Sequence, residues 1–204
     1  MAYPLRLFRP ERTHCPSCHL LQVDSVMKCP QCGFSAAASL HTFPMEFPTW
    51  ERLTDPKGFL KGREWERLDS QIAALEESYP QLSISICFHY LRRNQQPSEF
   101  GFWFLNYAKE NGAPSSSRAK RESSLLLVVD YHHHRCSATV GYLLEPFLSD
   151  FLLRDLLTTC LPEFSREKWG EALSKFFLGL SDELAKRHLG AREIINRATE
   201  AEKK

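Results

Sequence analysis

No stretch of this sequence approaches the roughly 20 consecutive apolar residues that a membrane-spanning helix requires, which excludes a helical membrane protein. The opening "MAYPLRLFRPERTH" carries basic residues but neither an apolar core nor a small-residue cleavage site, so the expectation is a cytoplasmic protein without a secretory leader. An excess of one charge is also missing: 26 Lys and Arg stand against 25 Asp and Glu, for a formal net charge of +1. No whole-chain field would therefore draw it to nucleic acid or to an anionic membrane. There is no Gly-rich phosphate loop, no H-E-x-x-H pair and no nucleophile elbow. An even disulfide framework is lacking as well. Of seven cysteines, four form two C-x-x-C pairs and the other three are scattered singly among apolar segments, a usage that fits a reducing compartment. What the chain does have is apolar mass. Its 204 residues, 43% hydrophobic and 12% aromatic, suffice for one real core and one small appended module.

The strongest local pattern is "CPSCHLLQVDSVMKCPQCG". Cys15 and Cys18 form one pair and Cys29 and Cys32 the other. Two residues between cysteines let a tight turn aim both thiolates at one ion, and two such knuckles complete a tetrahedral shell of four sulfurs. Pro16, Pro30 and Gly33 supply the turn residues. The intervening "HLLQVDSVMK" is expected to form a short hairpin carrying Leu21, Val23 and Val26. A redox dithiol would occur once, at a helix start within a βαβ pattern, and that context is absent. Residues 1–40 thus read as a zinc ribbon whose four positions are all filled by protein, so zinc there would stabilise rather than catalyse. His14 and His19 adjoin the first knuckle and could in principle replace a thiolate, but with four cysteines available the cysteines are the expected ligands. The ribbon has no dense basic stripe and no stacking aromatics, which makes nucleic acid an unfavoured partner.

Residues 41–60 read as a linker that packs on the main domain, because Phe43, Phe47 and Trp50 would otherwise stay wet. From residue 61 to 189 the periodicities are those of one domain. Trp65, Leu68, Ile72, Leu75 and Tyr79 define a helix stopped by Pro80, and "QLSISICFHY" alternates as a strand with Leu82, Ile84, Ile86, Phe88 and Tyr90 on one face. "PSEFGFWFLNYAKENG" is a second helix with Phe100, Trp103, Phe104 and Tyr107 as its apolar stripe, followed by Gly112. The polar loop with Arg118, Lys120 and Arg121 comes next. "SLLLVVD" is a continuous apolar run, expected as a strand covered on both faces, and "RCSATVGY" returns as its hairpin partner. A helix capped by Ser149 and Asp150 is expected to end at Pro162, and another runs through Trp169, Leu173, Phe176, Phe177, Leu180 and Leu184. Residues 190–204 read as a polar tail. The order α-β-α-β-β-α-α gives the α/β class: a layered mixed sheet covered by helices, parallel apart from one hairpin.

The helix-strand-helix opening, "FGFWFLNYAKENG", the "LLLVVD" strand and "VGYLLE" leading through "LSD" to "LPEF" together resemble the TPM domain family, over roughly Glu64 to Leu184. That family is known from photosystem II repair proteins, bacterial envelope proteins and an animal receptor auxiliary subunit. The resemblance implies an α/β sheet covered by helices and an accessory or assembly role, with metal-dependent acid phosphatase activity and calcium binding attributed to some members. On that basis the candidate TPM site is Asp130, Arg135, Glu145 and Asp150. This chain departs from the family where relatives carry two acids and two arginines across the hairpin. Here Asp130 is followed by Tyr131, His132, His133 and His134, with Arg135 retained, and Leu143 stands where a second glycine is common.

Two functions remain as expectations. A non-catalytic adaptor, joining a TPM-like domain to a structural zinc ribbon for protein–protein interaction, accounts for the closed zinc site and the lack of a catalytic constellation. The alternative is a metal-dependent phosphatase, with the three carboxylates holding metal and Arg135 the phosphate. Those carboxylates are equally explained as turn and cap residues. The three histidines alternate in direction along a strand, so they read as an exposed, pH-sensitive hairpin tip.

Overall fold

In the computed structural model, the described residues are 12–23, 26–43, 46, 48–108, 122–145 and 147–201, with side chains described from 14 to 187. Phe47, Gly112, Arg118, Lys120 and Arg121 lie outside them. The elements are β1 (Arg12–His14), β2 (Leu21–Val23), α1 (Ala36–Thr42), β3 (Leu53–Thr54), α2 (Gly62–Ser78), β4 (Ser83–His89), α3 (Pro97–Tyr107), β5 (Ser124–Asp130), β6 (Arg135–Val140), α4 (Asp150–Phe164) and α5 (Trp169–Ala201).

The main sheet has the order β3-β4-β5-β6. β3 to β5 run parallel, and β6 returns antiparallel to β5 with Asp130 opposite Arg135. This is the mixed sheet that the apolar runs imply. One apolar layer joins Leu68, Ile72 and Leu75 of α2 to Ile84, Ile86 and Phe88 of β4 and to residues of α4 and α5. The opposite layer packs Phe100, Trp103 and Phe104 of α3 on Cys87, Leu126 and Val128. The crossovers β3-α2-β4 and β4-α3-β5 step the same way across the sheet but lie on opposite faces. They therefore have opposite hands, and one departs from the usual right-handed rule.

Three details differ from the sequence expectations. β4 alternates in sequence, yet both its faces are covered, because α3 closes over the small-residue side: Ser85 is fully buried and donates to the Glu51 carbonyl, and Cys87 joins the α3 layer. α4 runs past Pro162 to Phe164. Proline forfeits one helical hydrogen bond, but continuing the turn buries Phe164 against Trp169, with ring centroids 6.0 Å apart. The ribbon hairpin does not lie between the knuckles. β1 pairs with β2, so it brackets the first knuckle, with Leu21 and Val23 pointing outward.

The segment between the ribbon and the domain adds to the sheet. It contributes β3 at the edge, and Phe43 and Trp50 pack against the α3 layer. α3 can approach β6 closely because residue 101 is glycine: a Cβ there would collide with the Thr139 hydroxyl. Between α2 and α5, the buried Ser174 hydroxyl accepts from Arg67 Nη2 at 2.6 Å and from Gln71 Nε2 at 2.9 Å. α5 continues as helix past Gly190 to Ala201.

Candidate functional site

Each cysteine pair is built by the same backbone turn. Cys15 N–H donates to Leu20 O and His19 N–H to Cys15 O. In the second pair, Cys29 N–H donates to Phe34 O and Gly33 N–H to Cys29 O. The fifth residue of each turn takes positive φ, 77° at Gly33 and 59° at His19. Glycine adopts that backbone freely and histidine at a cost. The two turns face one another, with Cys15 Sγ 3.6 Å from Cys32 Sγ and Cys18 Sγ 3.6 Å from Cys29 Sγ. All four sulfurs lie within 4.8 Å of one another. A tetrahedral zinc with Zn–S bonds of about 2.3 Å needs its sulfurs about 3.8 Å apart, so the cluster could hold a metal ion such as zinc.

The thiols differ electrically. Burial pushes Cys15 up to about 12, whereas hydrogen bonding from the Cys32 backbone holds Cys29 down to about 6. A divalent cation would replace the protons that the cluster otherwise shares. The scattered cysteines are a contrast. Burial alone pushes Cys87 up to about 12, and burial with Cys160 nearby does the same to the partly buried Cys136, which disfavours the reactive thiolate at both.

The ribbon sits against the sheet's helices. Phe34 meets Phe102 of α3 edge-on at 5.4 Å, and Gln95 Nε2 donates to Thr42 O at 2.7 Å. His19 Nδ1 lies 3.8 Å from Asp150 Oδ1 at the start of α4. Partial burial, followed by the nearby Arg154 charge, pulls the His19 pKa below its ordinary value.

Asp130 ends β5 and is fully buried. Its Oδ2 accepts from Arg135 Nη2 at 2.6 Å and Nε at 3.0 Å, and lies 2.9 Å from His133 Nδ1, while Oδ1 accepts from Leu91 N–H at 3.4 Å. Arg135 Nη2 also reaches the Arg92 carbonyl at 3.4 Å, tying the β4–α3 loop to the hairpin. Of the four candidate TPM residues, Asp130 and Arg135 therefore meet. Asp150 serves α4 instead: it follows the Ser149 cap, which accepts from Leu152 N–H, and it pairs with Arg154 at 2.8 Å. Glu145 stands in the turn after β6. Among the described residues the four cysteines form the only metal-spaced group of three or more His, Cys, Asp or Glu side chains, so the three carboxylates do not gather at a common point.

The histidines also diverge. His133 turns in to Asp130, and His134, at φ 51°, points to Glu167 at 3.4 Å and to the Trp169 ring. His132 is exposed against Tyr90, ring to ring at 5.2 Å. His89, the register partner of Asp130, stacks flat on Phe100 at 4.5 Å, and burial pulls its pKa down. No local pattern marks that contact, because Phe100 arrives from the next helix.

A mixed α/β sheet preceded by a four-cysteine cluster that could hold a metal defines the class of protein. The chain belongs to the TPM domain family, whose model matches residues 53–183. The N-terminal domain of a P. gingivalis protein, solved by solution NMR, is 20% identical, with 66% of this chain and 82% of that one covered at a TM-score of 0.50. An N-terminal domain from Corynebacterium glutamicum is 15% identical, with 68% and 84% covered and a TM-score of 0.49. The first of these shares the fold alone. Comparison with curated proteins gives no significant match. Among the described residues, no helix is long and apolar enough to cross a membrane.

Proposed function

We propose that this TPM domain protein is a non-catalytic cytoplasmic adaptor, in which a structural zinc ribbon and the TPM domain together present surfaces to a protein partner. The observation that carries this reading is the state of Asp130. The acidic residue at the heart of the candidate site is buried, and its oxygens are occupied by Arg135, His133 and the Leu91 amide. A carboxylate so engaged and without solvent exposure, with only Oδ1 short of a second contact, is poorly placed to take a metal or to meet a substrate. The exposed Leu21, Val23 and Met27 of the ribbon supply apolar contact area of the kind that protein interfaces use. The zinc holds that surface in shape and takes no part in chemistry, since four thiolates leave it no open position.

The alternative is a metal-dependent phosphatase of the TPM type, with calcium or another divalent ion as cofactor. It is favoured by one observation: Asp130 and Arg135 meet at the carboxyl end of the parallel strands, where α/β sheets bind ligands. A generic phosphate ester assay with calcium, magnesium, manganese or zinc separates the two. The adaptor reading expects no turnover. Metal-dependent turnover that disappears in Asp130→Ala and Glu145→Ala would overturn it. In parallel, affinity capture from the native cell is expected to retain a protein that Leu21→Asp/Val23→Asp releases.

A further inference from the structure

β6 is the outermost strand on its side of the main sheet. Its register with β5 runs without a bulge from Arg135 to Val140, and the next residue, Gly141, donates its N–H to Ser124 O. By the alternation of an antiparallel ladder, Arg135, Ser137 and Thr139 bond to β5, while the amides and carbonyls of Cys136, Ala138 and Val140 point away from the sheet. Among the described residues no backbone group takes them up. The strand carries none of the devices that discourage pairing with another chain. It has no proline and no lysine, and Arg135, its one charge, is drawn inward to Asp130.

The neighbour of β6 on this side is the ribbon. α3 and α4 pack on β6 from opposite faces, and the ribbon touches both helices. On α3 successive residues turn by about 100°. Phe100 stacks on His89 of β4, Gly101 meets Thr139 of β6, and Phe102, the next in the fan, is carried beyond β6 to Phe34 of the ribbon. From the other face, Asp150 at the start of α4 meets His19 at 3.8 Å. Both contacts fall toward the Val140 end of β6. The ribbon thus joins the two layers around that end, in the space that a further strand would need.

Both contacts depend on the cysteine turns. His19 follows Cys18, and its N–H donates to Cys15 O. Phe34 lies two residues after Cys32, and its carbonyl accepts from Cys29 N–H. A segment this short builds no apolar core of its own, so metal binding is its folding energy.

We infer that the metal-loaded ribbon is a latch over β6, and that loss of the metal opens this edge to β6 of a second copy of the chain. The latch goes beyond the adaptor reading, because it needs no foreign partner. The strand is self-complementary. Antiparallel pairing about a two-fold axis at Ala138 sets Cys136 opposite Val140 and Ser137 opposite Thr139 of the second copy, with the two Arg135 side chains at opposite ends. Ser137 Oγ is buried with no hydrogen-bond partner, and this register brings a hydroxyl to it.

The test uses the full chain under reducing conditions. Sedimentation velocity compares zinc-loaded protein, protein stripped by a chelator, and stripped protein given zinc again. The loaded chain is expected to be monomeric, stripping to double its mass, and zinc to restore the monomer. Ala138→Pro removes an outward N–H without breaking a bond to β5, and should keep the stripped chain monomeric with the loaded melting temperature nearly unchanged. Hydrogen exchange of the unsubstituted chain gives a second readout: the amides of Cys136, Ala138 and Val140 should be protected about tenfold or more in the stripped form relative to the loaded one. Phe34→Ala keeps all four cysteines and should permit partial association with zinc bound. A stripped chain that stays monomeric, association that persists in a folded Ala138→Pro, outward amides no better protected after stripping, or equal association with zinc bound would each overturn the inference.

Discussion

Arg135 holds Asp130 from the opposite strand through two nitrogens on one oxygen, Nη2 at 2.6 Å and Nε at 3.0 Å. The carboxylate has no solvent exposure while the arginine keeps 27%. Arg135→Ala would leave a buried charge with only His133 and a long amide contact, and should destabilise the domain by about 3 kcal/mol in urea titration. Asp130→Asn in the same background should recover part of that loss, because the unpaired charge is gone.

Gly101 and Thr139 form a coupled pair. Gly101→Ala is expected to cost about 1–3 kcal/mol, since the new methyl meets the Thr139 side chain in a packed layer. Thr139→Ala should relieve most of that cost. A double-mutant cycle by denaturant unfolding would expose strong non-additivity, and simple additivity would mean that α3 shifts instead.

His19 occupies a left-handed backbone position that Gly33 fills in the matching turn. His19→Gly should stabilise the ribbon by a few tenths to about 1 kcal/mol, while His19→Val should weaken metal retention. Competition with a chromogenic chelator ranks the three proteins. Removing the metal outright should unfold residues 14–33 and leave the sheet's circular dichroism largely intact.

Because burial pulls the His89 pKa below its ordinary 6.5, the unfolded chain takes up that proton first as pH falls. Stability is therefore undiminished above about pH 6.5 and declines as pH drops below it toward the folded value. His89→Phe should remove that part of the slope while keeping the stack on Phe100, which a pH series of thermal melts would register.

Local pattern sufficed wherever one element determines its own environment. The uniform apolar run of β5 foretold a strand covered on both faces, and the spacing of Cys15, Cys18, Cys29 and Cys32 foretold the sulfur cluster, because chemistry at two-residue spacing is decided within a turn. It did not suffice where a distant element decides. The small-residue face of β4 looks solvated until α3 covers it. Leu53 and Thr54 are too few to mark a strand, and only pairing to Ile86 and Cys87 makes them one. Asp130, Glu145 and Asp150 are near in sequence, but a hairpin and a helix start send them to separate tasks.

The brevity of β3 also bears on how the molecule behaves in a crowd. A sheet edge is a row of unpaired amides and carbonyls that can recruit strands from other chains. On this side only two residues are available, and the neighbouring Arg52 is drawn back over α2 by Asp69 at 3.1 Å and Glu76 at 2.6 Å. The arrangement gives a foreign strand little to extend and a charge to bury, so this flank of the domain resists aggregation.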